Sequence, residues 1–198
     1  MWASVVGELG FDEALAAVQA RLGRKGASHC ERVAATAGDL AEVYGVDVDS
    51  ARLAGALHDW DRDIPRSRLV EHARELGLEV TPIDEAVPYL LHARTGAVDV
   101  GRHFPGVSAD VARAISLHTV GARDMTPLDQ VVYLADMLEP GRDFEGVDEL
   151  RAAVGAAPLP ELFALGYRLS VMHLVRVRRR IHPETIEVWN ALVAGEPR

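Results

Sequence analysis

Apolar residues recur along this chain at intervals of three and four, the periodicity that places side chains on one face of an α-helix. The pattern is clearest in residues 28–44, whose predicted buried face consists of Val33, Ala37, Leu40, Ala41 and Tyr44. β-Branched residues are scattered, and no alternating apolar and polar run is framed by hairpin turns, so no strand is predicted. The chain is therefore expected to be all-α.

Glycine, proline and capping residues divide this pattern into separate helices. Ser28 and Glu31 form a Ser-x-x-Glu capping box at the start of the second helix, and Asp49 is predicted to cap the third. Pro88 is expected to bend, without ending, the helix that reaches His92. The predicted helices span residues 11–22, 28–44, 49–59, 64–76, 81–92, 108–118, 126–138, 147–154, 158–181 and 183–193.

The chain shows no sign of division into several domains. It has 198 residues, a length that suits one compact domain. We find no internal repeat and no low-complexity segment, and neither 77–82 nor 140–147 is long enough to be a linker between domains. Residues 1–198 are therefore expected to form a single helical domain.

Composition and charge exclude several classes of protein. Hydrophobic residues make up 48% of the chain, which is too much for a disordered protein. The formal net charge of −9 repels nucleic acid and anionic membranes, so neither is expected as a partner. An anionic substrate would need a local positive site, which metal ions can provide.

The cysteine content and the apolar segments indicate the compartment. Cys30 is the single cysteine, so no intramolecular disulfide can form. No stretch approaches the roughly 20 apolar residues of a membrane span. Residues 1–8 have no basic region before their apolar residues, unlike a signal peptide. The protein is expected to be cytoplasmic.

The most informative feature is the pair His58-Asp59, which ends the apolar run 53–57. A carboxylate that is ionised in such surroundings must be paired or bound to a metal. Helical bundles build metal sites from side chains that converge on their centre. Further candidates in similar surroundings are His29, His92, His118 and Asp136. Four imidazoles and two carboxylates are thus predicted to hold one or two metal ions.

Each of these residues also has a purely structural interpretation. A lone histidine after an apolar run is more often a hydrogen-bonded core residue than a ligand. Asp59 alone could cap the following turn, and Arg142 could pair with Asp136 in place of a metal. It is the coincidence of all the candidates that favours a metal site.

The types of ligand narrow the choice of metal. Imidazole and carboxylate without thiolate argue against a structural zinc site. They suit iron, manganese, cobalt or a catalytic zinc. Two ions that share a carboxylate would suit the hydrolysis of a phosphoester. Asp59 is the candidate for the shared ligand, because it lies in the middle of the motif order.

Arginine residues that follow the candidate ligands could bind phosphate oxygens. They are Arg62, Arg94 and Arg142, and Arg142 is the strongest candidate. The alternative is that they pair with neighbouring aspartates or lie at the surface. The remaining histidines lack the context of the candidates and are interpreted as structural or solvated: His72, His103, His173 and His182.

The order His29…His58-Asp59…Asp136 resembles the signature of the HD-domain superfamily of metal-dependent phosphohydrolases. The resemblance is closer to the bacterial YqeK-type branch and covers about residues 22–194. The other matching stretches are Ala54-Gly55-Ala56-Leu57, Leu90-Leu91-His92 with Gly96-Ala97, Ala114-Ile115 with His118-Thr119, Leu134-Ala135-Asp136 with Glu139-Pro140-Gly141-Arg142, and Ile181-His182-Pro183.

This resemblance implies an all-α HD fold with two metal ions, iron in particular, and cleavage of diadenosine tetraphosphate into two ADP. The implied ligands of one ion are His29, His58, Asp59 and Asp136. The other ion is implied to bind His92 and His118 together with Asp59. Catalytic roles are expected for Asp59, Arg62 and Arg142.

One departure and several alternatives accompany this expectation. Arg62 stands where the family usually has lysine, which keeps the charge but changes the shape of the group. The site would also suit another nucleotide, and a non-catalytic module that senses a nucleotide remains an alternative. The final helix could pack on the core or on a second copy of the chain, forming a homodimer.

Overall fold

The computed structural model describes residues 9–194, which form helices and turns without a strand. The predicted all-α class is confirmed for this part of the chain. The helices are α1 (Phe11–Arg21), α2 (Arg24–Tyr44), α3 (Val48–Leu57), α4 (Arg66–Glu75), α5 (Pro82–Ala86), α6 (Leu91–His103), α7 (Ala109–Leu117), α8 (Pro127–Leu138), α9 (Val147–Ala153), α10 (Leu159–Arg176) and α11 (Pro183–Val193).

The start of α2 differs from the prediction. The helix is preceded by Gly23, which provides no side-chain cap. Ser28 therefore lies inside the helix, and the capping box predicted for Ser28 and Glu31 is wrong. The N–H of Gly23 instead donates to Oδ2 of Asp63 at 3.0 Å, a tertiary contact that the local pattern does not reveal.

The cap of α3 also differs from the prediction. Asp47 is the N-cap residue, and its carboxylate accepts a hydrogen bond from the N–H of Ser50 at 2.8 Å. Asp49 lies in the first turn of the helix. A capping side chain reaches the backbone N–H two or three residues later, and here it is Asp47 that meets this condition.

The helix predicted to continue through Pro88 is interrupted there. Residues Pro88–Leu90 form a single 3-10 turn, and a new helix begins at Leu91. Proline has no N–H to donate and its ring clashes with the preceding turn, so a break replaces the predicted bend. His92 consequently lies in the first turn of α6, which continues to His103 beyond the predicted end.

The core consists mainly of two clusters of buried apolar side chains. One joins α2 and α8 to α10, and the other joins α1 and α3 to α6 and α7. Helices α2 and α3 pack closely because Gly55 has no side chain: a Cβ there would lie 2.9 Å from Cα of Ala34. Helices α2, α3 and α8 contribute to both clusters, and they carry or precede several of the candidate ligands.

The ends of the chain were expected to lack a signal peptide and to carry a helix that packs on the core or on a second copy. Residues 1–8, which were compared with a signal peptide, lie outside the described residues. Trp189 and Leu192 of α11 are partly buried and pack against the first core cluster. Within residues 9–194, no helix has both the length and the apolar character required to traverse a bilayer.

Candidate metal centre

The fold brings the predicted metal ligands together from five helical segments. Three of the histidines lie at or beside a helix terminus, where the backbone is free to turn the side chain inward. The residues are His29 on α2, His58 and Asp59 directly after α3, His92 at the start of α6, His118 directly after α7, and Asp136 on α8.

Asp59 lies between two pairs of histidines and is fully buried. Its Oδ2 atom is 3.3 Å from Nε2 of His58 and 3.7 Å from Nε2 of His29. Its Oδ1 atom is 3.1 Å from Nε2 of His92 and 3.6 Å from Nε2 of His118. The two oxygens of one carboxylate thus face separate histidine pairs, an arrangement suited to a ligand shared by two ions.

The histidines are held with Nε2 pointing toward Asp59. In His58, His92 and His118, Nδ1 lies 2.5–2.8 Å from the carbonyl oxygen three residues earlier in the chain. In His29, Nδ1 lies 3.1 Å from Oε1 of Glu139. A proton on each Nδ1 satisfies these acceptors and leaves the Nε2 lone pair available, as in histidines that bind metals.

Several atoms at the centre have no suitable protein partner. Nε2 of His29, Nε2 of His58 and Oδ1 of Asp59 are buried without a hydrogen bond. Nε2 of His92 and Nε2 of His118 lie 3.1 Å apart, and two unprotonated nitrogens cannot bond to each other. A cation would satisfy all of these atoms. The residues therefore fit metal ions, in one group around His29 and His58 and another around His92 and His118.

The electrostatics of the centre favour a bound cation. Burial by itself raises the pKa of Asp59, but the surrounding imidazoles of His58, His118 and His92 hold that pKa well below its usual range. Burial also opposes ionisation of Asp136, yet the neighbouring His29, His58 and Arg142 together hold its pKa low. Both carboxylates are therefore ionised, with Asp59 fully buried and about a fifth of the Asp136 side chain exposed.

The histidines respond differently to the same surroundings. Burial lowers the pKa of His58, but the carboxylates of Asp59 and Asp136 and the hydrogen bond to the Gly55 carbonyl together outweigh burial and bring the pKa to about 8. Burial lowers the pKa of His118 below its ordinary value, although the Asp59 carboxylate beside it acts in the opposite direction. His118 is therefore a neutral imidazole, the form that binds metal.

Glu139 also belongs to the site, although the sequence did not predict it as a site residue. Only 2% of the residue is exposed, although it directly follows α8. Its Oε2 atom accepts hydrogen bonds from Nε of Arg32 at 2.5 Å and from the N–H of Gly141 at 2.6 Å. Its Oε1 atom faces His29. The available signal was its position three residues after Asp136, in the segment Glu139-Pro140-Gly141-Arg142 that carries part of the family resemblance.

Two of the three candidate arginines face the same cleft. Nη1 of Arg62 donates to Oδ2 of Asp59 at 2.5 Å. Arg142 donates through Nη2 to Oδ1 of Asp136 and through Nε to the Asp136 carbonyl at 2.7 Å. The ion pair considered as an alternative for Arg142 is thus present. The cleft has a volume of about 230 Å³ and is lined by Arg62, Tyr89, Leu90, His118, Thr119, Tyr133, Asp136, Met137, Arg142 and Ser170.

Arg94 is separated from this group. Its guanidinium lies 3.3 Å from Oδ2 of Asp84 and donates to the carbonyl of Glu79 at 2.7 Å. It does not line the cleft. The structural interpretation therefore applies to Arg94.

Comparison with known proteins places this centre in a family. The sequence profile of the HD domain matches residues 26–141, which include every candidate metal ligand. A protein from Bacillus subtilis (strain 168), named symmetrical bis(5'-nucleosyl)-tetraphosphatase, is 32% identical over 93% of this chain and 98% of its own length. A Staphylococcus aureus (strain NCTC 8325 / PS 47) protein of the same name is 28% identical over 92% of this chain and 94% of its own length.

A solved structure agrees with this assignment. The crystal structure of a Clostridium acetobutylicum protein, described as a predicted HD superfamily hydrolase involved in NAD metabolism, superposes with a TM-score of 0.87. Its sequence identity is 32%, and the match covers 95% of this chain and 99% of that one. The predicted family and the prediction of a hydrolase are confirmed. This chain belongs to the HD-domain family.

Proposed function

We propose that this protein hydrolyses diadenosine tetraphosphate symmetrically into two ADP at a dinuclear metal site. The observation that carries the proposal is the division of the Asp59 carboxylate between two histidine pairs, beside a cleft lined by Arg62 and Arg142. The names of the Bacillus and Staphylococcus relatives, which match more than nine-tenths of the chain, support the choice of substrate.

We assign one ion to His29, His58, Asp59 and Asp136 and the other to Asp59, His92 and His118. Imidazole and carboxylate ligands suit iron, manganese, cobalt or zinc, and the resemblance to YqeK-type proteins favours iron. When bound, the ions lower the pKa of water and offset the negative charge of the phosphates.

The arginines supply the positive charge that an anionic substrate needs, since the protein has a net charge of −9. A guanidinium can donate two parallel hydrogen bonds to one phosphate. The side chains of Arg62 and Arg142 are each about one-third exposed, so both can reach a ligand in the cleft. In the protein alone they pair with Asp59 and Asp136, and substrate oxygens would take over part of this pairing.

The reaction itself is a hydrolysis at a central phosphorus. The oxygen of water forms a bond to that phosphorus, and the bridging anhydride bond on its far side breaks. One ADP leaves, and the other ADP retains the added oxygen. Hydrogen-bond donors that are already in position stabilise the charge that develops during such a transfer.

The test is product analysis with purified, metal-loaded protein. Diadenosine tetraphosphate should yield ADP alone, and reaction in ¹⁸O-labelled water should place one label in half of the ADP. ATP and AMP in equal amounts would show asymmetric cleavage and contradict the proposal. The substrate panel includes ATP, a cyclic nucleotide and NAD⁺, because an HD hydrolase of another nucleotide is the competing enzyme.

The same assay separates an enzyme from a sensor. A nucleotide-sensing module would bind the dinucleotide without steady release of product.

Three further expectations stay predictions from the sequence: a single-domain organisation over residues 1–198, a homodimer and a cytoplasmic location.

A further inference from the structure

A second cluster of metal-ligating side chains lies beside the catalytic centre and shares no residue with it. It consists of Asp61 in the turn after α3, His72 on α4 and Asp99 on α6. We propose that Asp61, His72 and Asp99 form an additional site for one divalent transition-metal ion.

The observation that points to an ion is an oxygen of Asp61. This residue is fully buried. Its Oδ1 atom accepts a hydrogen bond from Nη2 of Arg21 at 2.8 Å, but its Oδ2 atom is buried without any hydrogen-bond partner. An ionised carboxylate with an unpaired buried oxygen carries a desolvation cost that a ligand would relieve.

His72 cannot relieve this cost by itself. Its Nε2 atom lies 2.8 Å from Oδ2 of Asp99 and 3.5 Å from Oδ2 of Asp61. One N–H serves one acceptor well, and the shorter contact is with Asp99. An ion in place of that proton would bind both oxygens and the nitrogen together.

The spacing of the three atoms suits one ion. All three lie within 4.8 Å of one another. Ligands about 2.1 Å from a tetrahedral ion are roughly 3.4 Å apart. The separation of Nε2 from the Asp61 oxygen, 3.5 Å, matches this spacing, and the hydrogen-bonded separation from the Asp99 oxygen, 2.8 Å, would lengthen around an ion. On its other side, Nδ1 of His72 lies 3.9 Å from Oε2 of Glu75. This is an ion-pair distance and not a hydrogen bond, so Glu75 adds negative charge beside the group.

Charge and access also favour a cation. Asp61 and Asp99 carry two negative charges and Arg21 offsets one of them, so the group is anionic when His72 is neutral. One imidazole and two carboxylates without thiolate suit Mn²⁺ or Zn²⁺. A quarter of the His72 side chain and a fifth of the Asp99 side chain are exposed. His72 also lines a cavity of about 240 Å³.

An ion at this position would be structural. It would tie the turn that carries Asp59 to α4 and to α6, the helix in which His92 occupies the first turn. The ion would thereby stabilise the arrangement of residues on both sides of the catalytic centre without contacting the substrate.

The test counts metal ions in the intact protein after equilibrium dialysis against Mn²⁺ and, separately, Zn²⁺. The cluster variants are His72→Gln and Asp99→Asn. Matched controls are His173→Gln and Asp110→Asn, which change exposed residues of the same types on α10 and α7. Wild type and controls should each hold one more ion per chain than either cluster variant.

The ion bound by Asp61, His72 and Asp99 can be counted separately from the ions of the catalytic centre. Asp59→Ala should lose ions from the catalytic centre and retain one ion, whether or not the proposed function is correct. An unchanged ion count in both cluster variants would overturn the proposal, even with a lower melting temperature, because an ordinary ion pair would then explain the cluster. If neither cluster variant folds, an Asp59→Ala protein that binds no ion would overturn it.

Discussion

Oε1 of Glu139 lies 3.1 Å from Nδ1 of His29, although 110 positions separate the two residues in the sequence. The contact fixes the proton of His29 on Nδ1 and directs its Nε2 atom toward Asp136, 2.9 Å away. Carboxylates that hold the outer nitrogen of a histidine tune its orientation and its basicity as a ligand. Glu139 therefore acts on the centre through His29.

Replacing Glu139 by glutamine should weaken metal binding without removing a ligand. Loss of an outer carboxylate typically costs about 10–100-fold in metal affinity. Affinity is measured by competition with a chelator, using Glu161→Gln on the exposed side of α10 as the control. Unchanged affinity in a folded Glu139→Gln protein would mean that Glu139 serves only Arg32 and the backbone of Gly141.

Asp59 and His92 should differ in how many ions depend on them. Asp59→Ala removes the ligand that faces both histidine pairs, so both ions and nearly all activity should be lost. His92→Ala should lose the ion near His118 and spare the other. Metal analysis of the purified variants checks both results. Equal loss in the two variants would argue against two separable sites.

Arg142→Lys should lower kcat/KM while the metal content is retained. Lysine keeps the charge but loses the planar fork, at a cost of about 1–3 kcal/mol in transition-state stabilisation. Arg94→Lys is the matched control, because Arg94 does not line the cleft. Full kcat/KM in an Arg142→Lys protein with a lower melting temperature would assign Arg142 to its ion pair with Asp136 alone.

Asp47→Ala should destabilise the protein at neutral pH by about 1 kcal/mol, the usual value of an N-cap. Hydrogen bonds from the side chain and backbone of Ser50 lower the pKa of Asp47. A lowered pKa in the folded state gives stability that is present above the ordinary value near 4 and is lost as the pH falls below it. Unfolding of wild type and Asp47→Ala in urea, at pH 7 and at pH 3, measures the loss of stability and how far it shrinks in acid.

The control for this prediction is Asp49→Ala, which changes the residue that local pattern had favoured as the cap. Asp49 lies in the first turn of α3, where the helix dipole favours its charge. Its replacement should therefore lower the free energy of unfolding by less than the replacement of Asp47 does. A larger effect for Asp49→Ala than for Asp47→Ala would contradict the assignment of the cap. A difference between wild type and Asp47→Ala that does not shrink at pH 3 would contradict the role of the ionised carboxylate.

The sequence by itself determined the helical class and the candidate ligands. Both depend on local properties: apolar spacing predicts a helix, and a charged or imidazole group within an apolar segment needs a partner. Helix ends were less predictable, because at Gly23 and Pro88 a tertiary contact or a broken turn decided the outcome.

Only the tertiary structure decided which groups face each other. The division of Asp59 between two histidine pairs depends on how α2, α3, α6 and α7 pack. His72 had been interpreted as structural or solvated, and its contact with Asp99 spans 27 positions. Such pairings arise from helix packing over long separations, which local periodicity does not encode. The sequence therefore supplied the candidate ligands, and the fold determined which of them face each other.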